Sequence, residues 1–179
     1  MVLPVNLVFE AKAKWRPEQI RNFESRIWPE AARDLARSGI EVQVGETSGE
    51  VERPSQRPPV IGGLERRALN IVVTDQIPMF WDRGRALNGV TTLYRGYHLC
   101  MIALQWAHGR QWPLLSVNTC LHEMLHALLG DIFESRPRGI TGNAREFRID
   151  AYATRMWLLG DVGFVRDEAR AYLEKLRST

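Results

Sequence analysis

TCLHEMLHALLG, residues 119–130, is the segment around which the rest of the chain is arranged. It consists mainly of good helix formers with no internal Gly or Pro, and Gly130 stands where a left-handed C-terminal cap belongs. Asn118 or Thr119 can serve as the N-cap, because a short oxygen-bearing side chain accepts hydrogen bonds from the amides of the first turn. The sequence therefore predicts a helix that ends at Gly130 and is buried, since it is apolar on nearly all sides.

This helix carries an H-E-x-x-H motif, made by His122, Glu123 and His126. Residues four apart lie on one helix face about one turn apart, so both imidazoles can present a nitrogen to the same point. Buried polar side chains need partners, because an unpaired polar group in a dry interior is costly. A zinc ion at that point would be such a partner. The alternative is an accidental motif, which is rare in a chain with four His.

Two carboxylates follow the motif, in a second helix predicted over residues 143–159. Nineteen residues separate His126 from Glu146, and Asp150 comes four residues later. A local alternative explains Glu146 alone, because Asn143 and Glu146 have the spacing of a capping box at a helix start. Asp150 does not fit that alternative, since two carboxylates at i and i+4 repel each other. A cation held between these carboxylates and the histidines would remove the conflict.

The pattern H-E-x-x-H, nineteen residues, then E-x-x-x-D resembles that of the gluzincins, the thermolysin-like zincin metallopeptidases. The resemblance covers about residues 118–157. It implies a metalloendopeptidase with one zinc ion per chain, which hydrolyses peptide bonds through a zinc-bound water. It also implies the role of each site residue: the zinc ligands His122, His126 and Glu146, the general base Glu123, and Asp150 as the partner of His122. Arg145 departs from the family pattern, which usually has Asn before the ligand glutamate.

The resemblance further implies that an edge strand beside the cleft pairs with the extended backbone of the substrate. Here that strand would span residues 88–94, with four residues expected to bind substrate: Asn88, Gly89, Val90 and Thr91. No G-A-M-E-N-like segment, the family mark of aminopeptidases, is present, so an endopeptidase is expected. The oxyanion donor stays open among several candidates: Tyr94, His98, Tyr152 and the arginines of residues 131–148. His98 and His108 are poor candidates for ligands, because a lone His is more often a surface or satisfied residue.

Two other functions stay open. A zincin fold without turnover could be a zinc-binding interaction module, or an Arg-rich chain could bind nucleic acid and carry the motif by accident. The charge argues against nucleic acid: 24 basic and 21 acidic residues give a net +3, and the arginines are spread along the chain. The expected partner is therefore a protein or peptide substrate, and the sequence does not indicate an oligomeric state.

The first nine residues, MVLPVNLVF, lack the basic region and cleavage site of a signal peptide, and no apolar run is long enough to span a bilayer. Cys100 and Cys120 lack C-x-x-C spacing and each lies in an apolar run, as is typical of buried thiols. These features favour a cytoplasmic protein that contacts no membrane, and they leave export without a leader open. Cys120 is not expected to bind metal, because its offset of two residues points it away from His122.

The whole chain predicts an α+β fold in one domain, residues 1–179. The resemblance implies a zincin-like arrangement: a mixed, twisted sheet of four or five strands, an active-site helix and a small helical C-terminal subdomain. The upper lobe would run to about residue 130, and the lower lobe, from about 131 to 179, would carry Glu146. Outside the motif helix, strands are expected at 5–15, 40–44, 68–74, 87–94 and 97–104, and helices at 17–38, 143–159 and 167–177.

Three local expectations follow. The strand, helix, strand order of residues 5–44 predicts a parallel crossover. Pro29 should kink or split the helix in which it lies. Residues 45–63, rich in Pro, Gly and Glu, should form a long loop without regular structure, either a surface insertion or a lid or docking segment.

Overall fold

The computed structural model of the chain describes residues 1–53, 58–78, 89–104, 118–130, 140–159 and 163–178. Seven strands are found in this part of the chain: β1 (Val2–Glu10), β2 (Glu41–Gly49), β3 (Val51–Glu52), β4 (Val60–Ile61), β5 (Leu69–Thr74), β6 (Gly89–Tyr94) and β7 (Tyr97–Ala103). The helices are α1 (Pro17–Asn22), α2 (Trp28–Arg37), α3 (Thr119–Leu128), α4 (Ile140–Leu159) and α5 (Gly163–Ser178). A π-helical turn, Phe23–Ile27, joins α1 to α2.

Five of the strands form one mixed sheet in the order β2-β1-β5-β7-β6. All neighbours are parallel except β6 and β7, which form an antiparallel hairpin. The central strand β5 is buried at every residue, as expected for an apolar strand covered on both faces. Arg95 and Gly96 turn the hairpin with positive φ angles of 49° and 81°. The α+β class, the mixed five-stranded sheet and the hairpin are thus confirmed.

The first helical region confirms both the parallel crossover and the interruption at Pro29. Pro29 has no amide hydrogen, and a proline ring clashes with the carbonyl four residues before it. The chain adjusts just upstream, where the amide of Trp28 donates to the carbonyl of Phe23, one residue further back than in an α-helix. Pro29 then lies in the first turn of α2, where proline is well tolerated.

The prediction of an irregular segment at residues 45–63 is wrong over much of its length. β2 continues to Gly49, and β3 pairs antiparallel with β4, while residues 54–57 lie outside the described part. The physical reason is the neighbouring strand: residues 45–49 pair in register with residues 6–10 of β1, and such pairing overrides an unfavourable composition.

Four predicted boundaries also differ. β1 begins at Val2 and not at Val5, because its pairing with β2 starts at Val2. β1 ends at Glu10 and not at Trp15, because its last paired positions with β2 and β5 are Glu10 and Phe9. α5 begins at Gly163, since the buried Val165 extends its apolar stripe by one turn. α4 begins at Ile140, so residues 140–142 are helical and the interpretation of Asn143 as a capping residue is wrong.

The motif helix α3 lies in the main hydrophobic core, as its composition predicts. It packs against β6, β7, α2, α4 and α5, and its apolar side chains are buried. The same core cluster runs from Leu3 in β1 to Leu176 in α5, so residues on both sides of position 130 share one core. No helix in the described residues combines the length and apolar character needed to cross a membrane.

Candidate metal centre

Both ends of α3 are fixed by the caps that the sequence suggests. The side chain of Asn118, and not that of Thr119, is the N-cap, and its oxygen accepts from the amide of Leu121 at 3.1 Å. The amide group of Asn118 also donates to the carbonyl of Ile27 at 2.7 Å. Gly130 follows the helix with a φ of 82°, in the left-handed region that favours glycine. The motif helix is therefore tied directly to the π-helical turn Phe23–Ile27.

The three residues expected to bind metal lie together. The Nε2 atoms of His122 and His126 are 3.1 Å apart. Glu146 reaches both rings from α4, with Oε2 3.1 Å from Nε2 of His122 and Oε1 3.4 Å from Nε2 of His126. All three candidate ligand atoms lie within 4.8 Å of one another, so the group could hold a metal ion. Sequence reasoning identified all three of these residues.

Asp150 lies behind this group, as the resemblance implies. Its Oδ1 is 2.8 Å from Nδ1 of His122. When Nδ1 of His122 carries the proton and donates to this carboxylate, Nε2 keeps its lone pair for a metal. The side chain of Arg145, the position that departs from the family pattern, lies outside the described residues.

The site favours positive charge. Burial alone would lower the pKa of His122, but its hydrogen bonds to Asp150 and Glu146 outweigh burial and raise that pKa to about 10. Burial would raise the pKa of Glu146, yet its hydrogen bonds to His122 and His126 hold it well below the usual range. The side chains of Glu146 and Asp150 are 59% and 46% exposed, so the group is accessible from the side of α4.

Glu123, the residue expected to be the general base, is only 7% exposed. Its Oε2 accepts a hydrogen bond from Oγ1 of Thr91 at 2.6 Å. Its Oε1 lies against Gly89, where an added Cβ would come within 2.5 Å of it. The carboxylate is thus enclosed by strand β6 as well as by its own helix. Its charge is one of the influences that raise the pKa of the neighbouring His122.

The residues expected to bind substrate are placed only in part. Asn88 lies outside the described residues, whereas Gly89, Val90 and Thr91 open strand β6, at an edge of the five-stranded sheet. All three are partly exposed. Sequence reasoning assigned Gly89 and Thr91 only to substrate binding and missed their contacts with Glu123. No local sequence signal could have revealed those contacts, because they join residues 32 positions or more apart.

Two candidates for the oxyanion donor make hydrogen bonds to other residues. The hydroxyl of Tyr94 donates to the carbonyl of Pro59. His98 is 1% exposed, burial lowers its pKa, and its Nδ1 lies 3.0 Å from the hydroxyl of Tyr172, so it is a satisfied core histidine. His108 and the arginines before Arg148 fall outside the described side chains, so these candidates stay predictions, as do Tyr152 and Arg148 of α4.

Both cysteines are buried free thiols, as predicted. Burial raises the pKa of each well above its ordinary value, so neither forms a thiolate readily. The sulfur of Cys120 lies 4.0 Å from the sulfur of Met124, within the core.

Comparison of the chain with protein-family models, with curated proteins and with solved structures finds no significant match. The resemblance to gluzincins therefore rests on the motif residues alone.

Proposed function

We propose that this protein is a zinc-dependent metalloendopeptidase. The observation that carries the proposal is the meeting of two imidazole nitrogens from α3 with the carboxylate of Glu146 from α4. Asp150 adds the hydrogen bond that a ligand histidine needs behind it. If the motif were an accident, four residues from two separate helices would have met in this arrangement by chance. A capping role does not explain Glu146 either, because Glu146 lies inside α4 and not at its start.

The donor set and its spacing fit zinc. Ligands about 2.0–2.1 Å from a tetrahedral zinc ion lie about 3.3 Å from one another. The two imidazole nitrogens are 3.1 Å apart, close to this value. Each oxygen of Glu146 lies near one ring, with Oε2 3.1 Å from Nε2 of His122 and Oε1 3.4 Å from Nε2 of His126. Two His and one carboxylate make three protein ligands, which is typical of catalytic zinc sites, whereas structural sites are usually closed by four ligands. The exposure of Glu146 leaves a route by which water and substrate can approach.

Each side chain of the site has its own role in peptide hydrolysis. Zinc, when bound, supplies Lewis acidity that polarises the peptide carbonyl and makes water more acidic. Glu123 takes the proton from the attacking water as the new carbon–oxygen bond forms. It then gives that proton to the leaving amine as the carbon–nitrogen bond breaks. Asp150 keeps the ring of His122 in orientation, and β6 is an edge strand of the five described strands of the sheet, along which an extended peptide can lie.

The test is the variant Glu123→Gln, which preserves the shape of the side chain and removes its basicity. We expect one zinc ion per chain in both proteins, and a loss of cleavage of an unfolded protein substrate by at least about 100-fold in the variant. Glu174→Gln is a matched control, because Glu174 is an exposed residue on α5. Cleavage by Glu123→Gln at the wild-type rate would remove Glu123 from this role.

Two other results would replace the proposal. A wild-type protein that holds zinc and cleaves no member of a peptide library would be a zinc-binding module. A protein purified without chelators that contains no stoichiometric metal would make the motif an accident.

A further inference from the structure

Strand β6 holds the carboxylate of Glu123 at both of its oxygens. Oε2 accepts from the hydroxyl of Thr91 at 2.6 Å, and Oε1 occupies the space in front of Gly89. Thr91 and Gly89 lie two residues apart on one strand, so their side-chain positions are on the same face of the sheet. That face is turned towards α3.

The hydrogen bonds around Glu123 can be assigned one by one. The hydroxyl of Thr91 has a single proton and two possible acceptors on Glu123, Oε2 at 2.6 Å and the main-chain carbonyl at 2.9 Å. The thiol of Cys100 lies 3.4 Å from the same carbonyl and can donate to it. Since the thiol can donate to the carbonyl, the hydroxyl of Thr91 can donate its hydrogen bond to Oε2 of the carboxylate. A hydrogen bond to an ionised acceptor at this short distance is strong.

Gly89 is required here for space and not for backbone conformation, because its φ is not in the left-handed region. A Cβ at this position would lie 2.5 Å, 2.6 Å and 2.7 Å from Oε1, Cγ and Cδ of Glu123. Since these distances are far below normal contact, any larger residue would push the carboxylate out of its place. The lack of a side chain at Gly89 thus sets where Oε1 can be.

We propose that strand β6 positions the general base, with the hydroxyl of Thr91 holding Oε2 of Glu123 and the missing side chain of Gly89 making room for Oε1, which exchanges the proton. This inference rests on the proposed function. Thr91 is a positioning residue, because its hydroxyl acts through the carboxylate of Glu123. A base held at one oxygen transfers a proton through the other in a fixed orientation, which is what an efficient transfer requires.

The first experiment compares kinetics of three variants with wild type. Thr91→Val, which keeps the shape and removes the hydroxyl, should lower kcat by about 10-fold or more with little change in KM and unchanged zinc stoichiometry. Thr91→Ser should restore most of kcat. Ser178→Ala is the control, because it removes a hydroxyl from an exposed residue of α5, and it should leave kcat unchanged.

Gly89→Ala is an independent test of the same arrangement. It should lower kcat although it removes no polar group, and it should leave zinc binding intact. Wild-type kcat in either Thr91→Val or Gly89→Ala would overturn the inference.

A second readout needs neither zinc nor turnover. In the metal-free protein, a double-mutant cycle between Thr91→Val and Glu123→Gln measures the coupling of the two side chains in urea unfolding. We expect non-additive effects on the unfolding midpoint, and additive effects would overturn the inference. If the wild type binds zinc and cleaves nothing, the proposed function and this inference fall together. If the wild type cleaves and Thr91→Val is equally active, the inference alone falls.

Discussion

His122 has a defined partner at each of its two ring nitrogens. Nδ1 faces Asp150 at 2.8 Å, and Nε2 faces both His126 and Glu146 at 3.1 Å. A histidine held in this way cannot rotate without losing one set of contacts. The orientation of the ring is therefore set before any metal binds, which reduces the cost of forming the site.

Asp150→Asn tests this orienting role. Asn keeps the shape of the side chain but replaces the ionised acceptor by a neutral amide, so we expect zinc affinity to fall by about 10–100-fold. Competition with a chromophoric chelator measures the change. Asp167→Asn is the control, because Asp167 is an exposed acid on α5 that pairs only loosely with Arg170, at 3.9 Å. Equal zinc affinity in Asp150→Asn and wild type would contradict the assignment.

The raised pKa of His122 predicts a pH dependence of the metal-free protein. Its value in the folded chain is about 10, above the ordinary value of 6.5, so the charged form is stabilised by folding. This contribution to the free energy of unfolding is complete below pH 6.5, and it is lost as pH rises through about 10. Urea unfolding of chelator-treated protein between pH 6 and 10 should therefore show falling stability, with a weaker fall in Asp150→Asn. A flat wild-type profile would contradict the prediction.

The residues of the site differ in how far sequence could predict them. His122, His126, Glu146 and Asp150 could be found because their spacing matches a known pattern, and two helices then place them together. The contact of Thr91 with Glu123 could not be found, because it depends on which strand lies beside α3 and in which register.

At the level of elements, α3 is held in place through its N-cap. Asn118 accepts from Leu121 within the helix and donates to the carbonyl of Ile27 at the end of the π-helical turn. The interruption caused by Pro29 therefore lies directly against the start of the helix that carries the motif. The side-chain oxygen of Asn118 accepts one of these hydrogen bonds and the side-chain nitrogen donates the other. A substitution can therefore remove one and keep the other.

Asn118→Ala should lower the free energy of unfolding by about 1–3 kcal/mol, because it removes a helix cap and leaves the carbonyl of Ile27 without its donor. Asn118→Asp keeps the acceptor for the cap and removes only the donor, so its loss should be smaller unless the added charge repels that carbonyl. Urea unfolding of the metal-free proteins measures both. An Asn118→Ala protein as stable as wild type would show that α3 is held by its apolar contacts alone.

The elements that sequence predicted well are those specified locally. Good helix formers and the caps at both ends predict α3, and the strongly apolar run LNIVVT predicts the central strand β5. The predictions are wrong where residues outside a segment determine its structure. Residues 45–49 become part of β2 because β1 pairs with them, and Asn143 is not a cap because α4 already begins at Ile140.

For the molecule as a whole, a metal at this site would join two parts of the chain that the sequence separates. Two of the ligands lie on α3, which is buried among the sheet and the other helices. The third lies on α4, whose outer face is exposed at Phe147 and Leu158. Metal binding would therefore add a link between the core and a helix that is partly exposed.

Removal of zinc should accordingly lower the thermal stability of the whole chain. A ligand present at 1,000 times its Kd stabilises the folded state by about 4 kcal/mol, which for a chain of this size corresponds to about 8–16 °C in Tm. Thermal unfolding with and without chelator measures the shift, and Glu146→Gln should show a much smaller one. Hydrogen exchange after chelation should speed up first in α4, since it loses its only ligand link to α3, while β5 stays protected at the centre of the sheet. If chelator does not change Tm, then α3 and α4 hold their positions without the metal. The metal ligands would then have to be residues other than His122, His126 and Glu146.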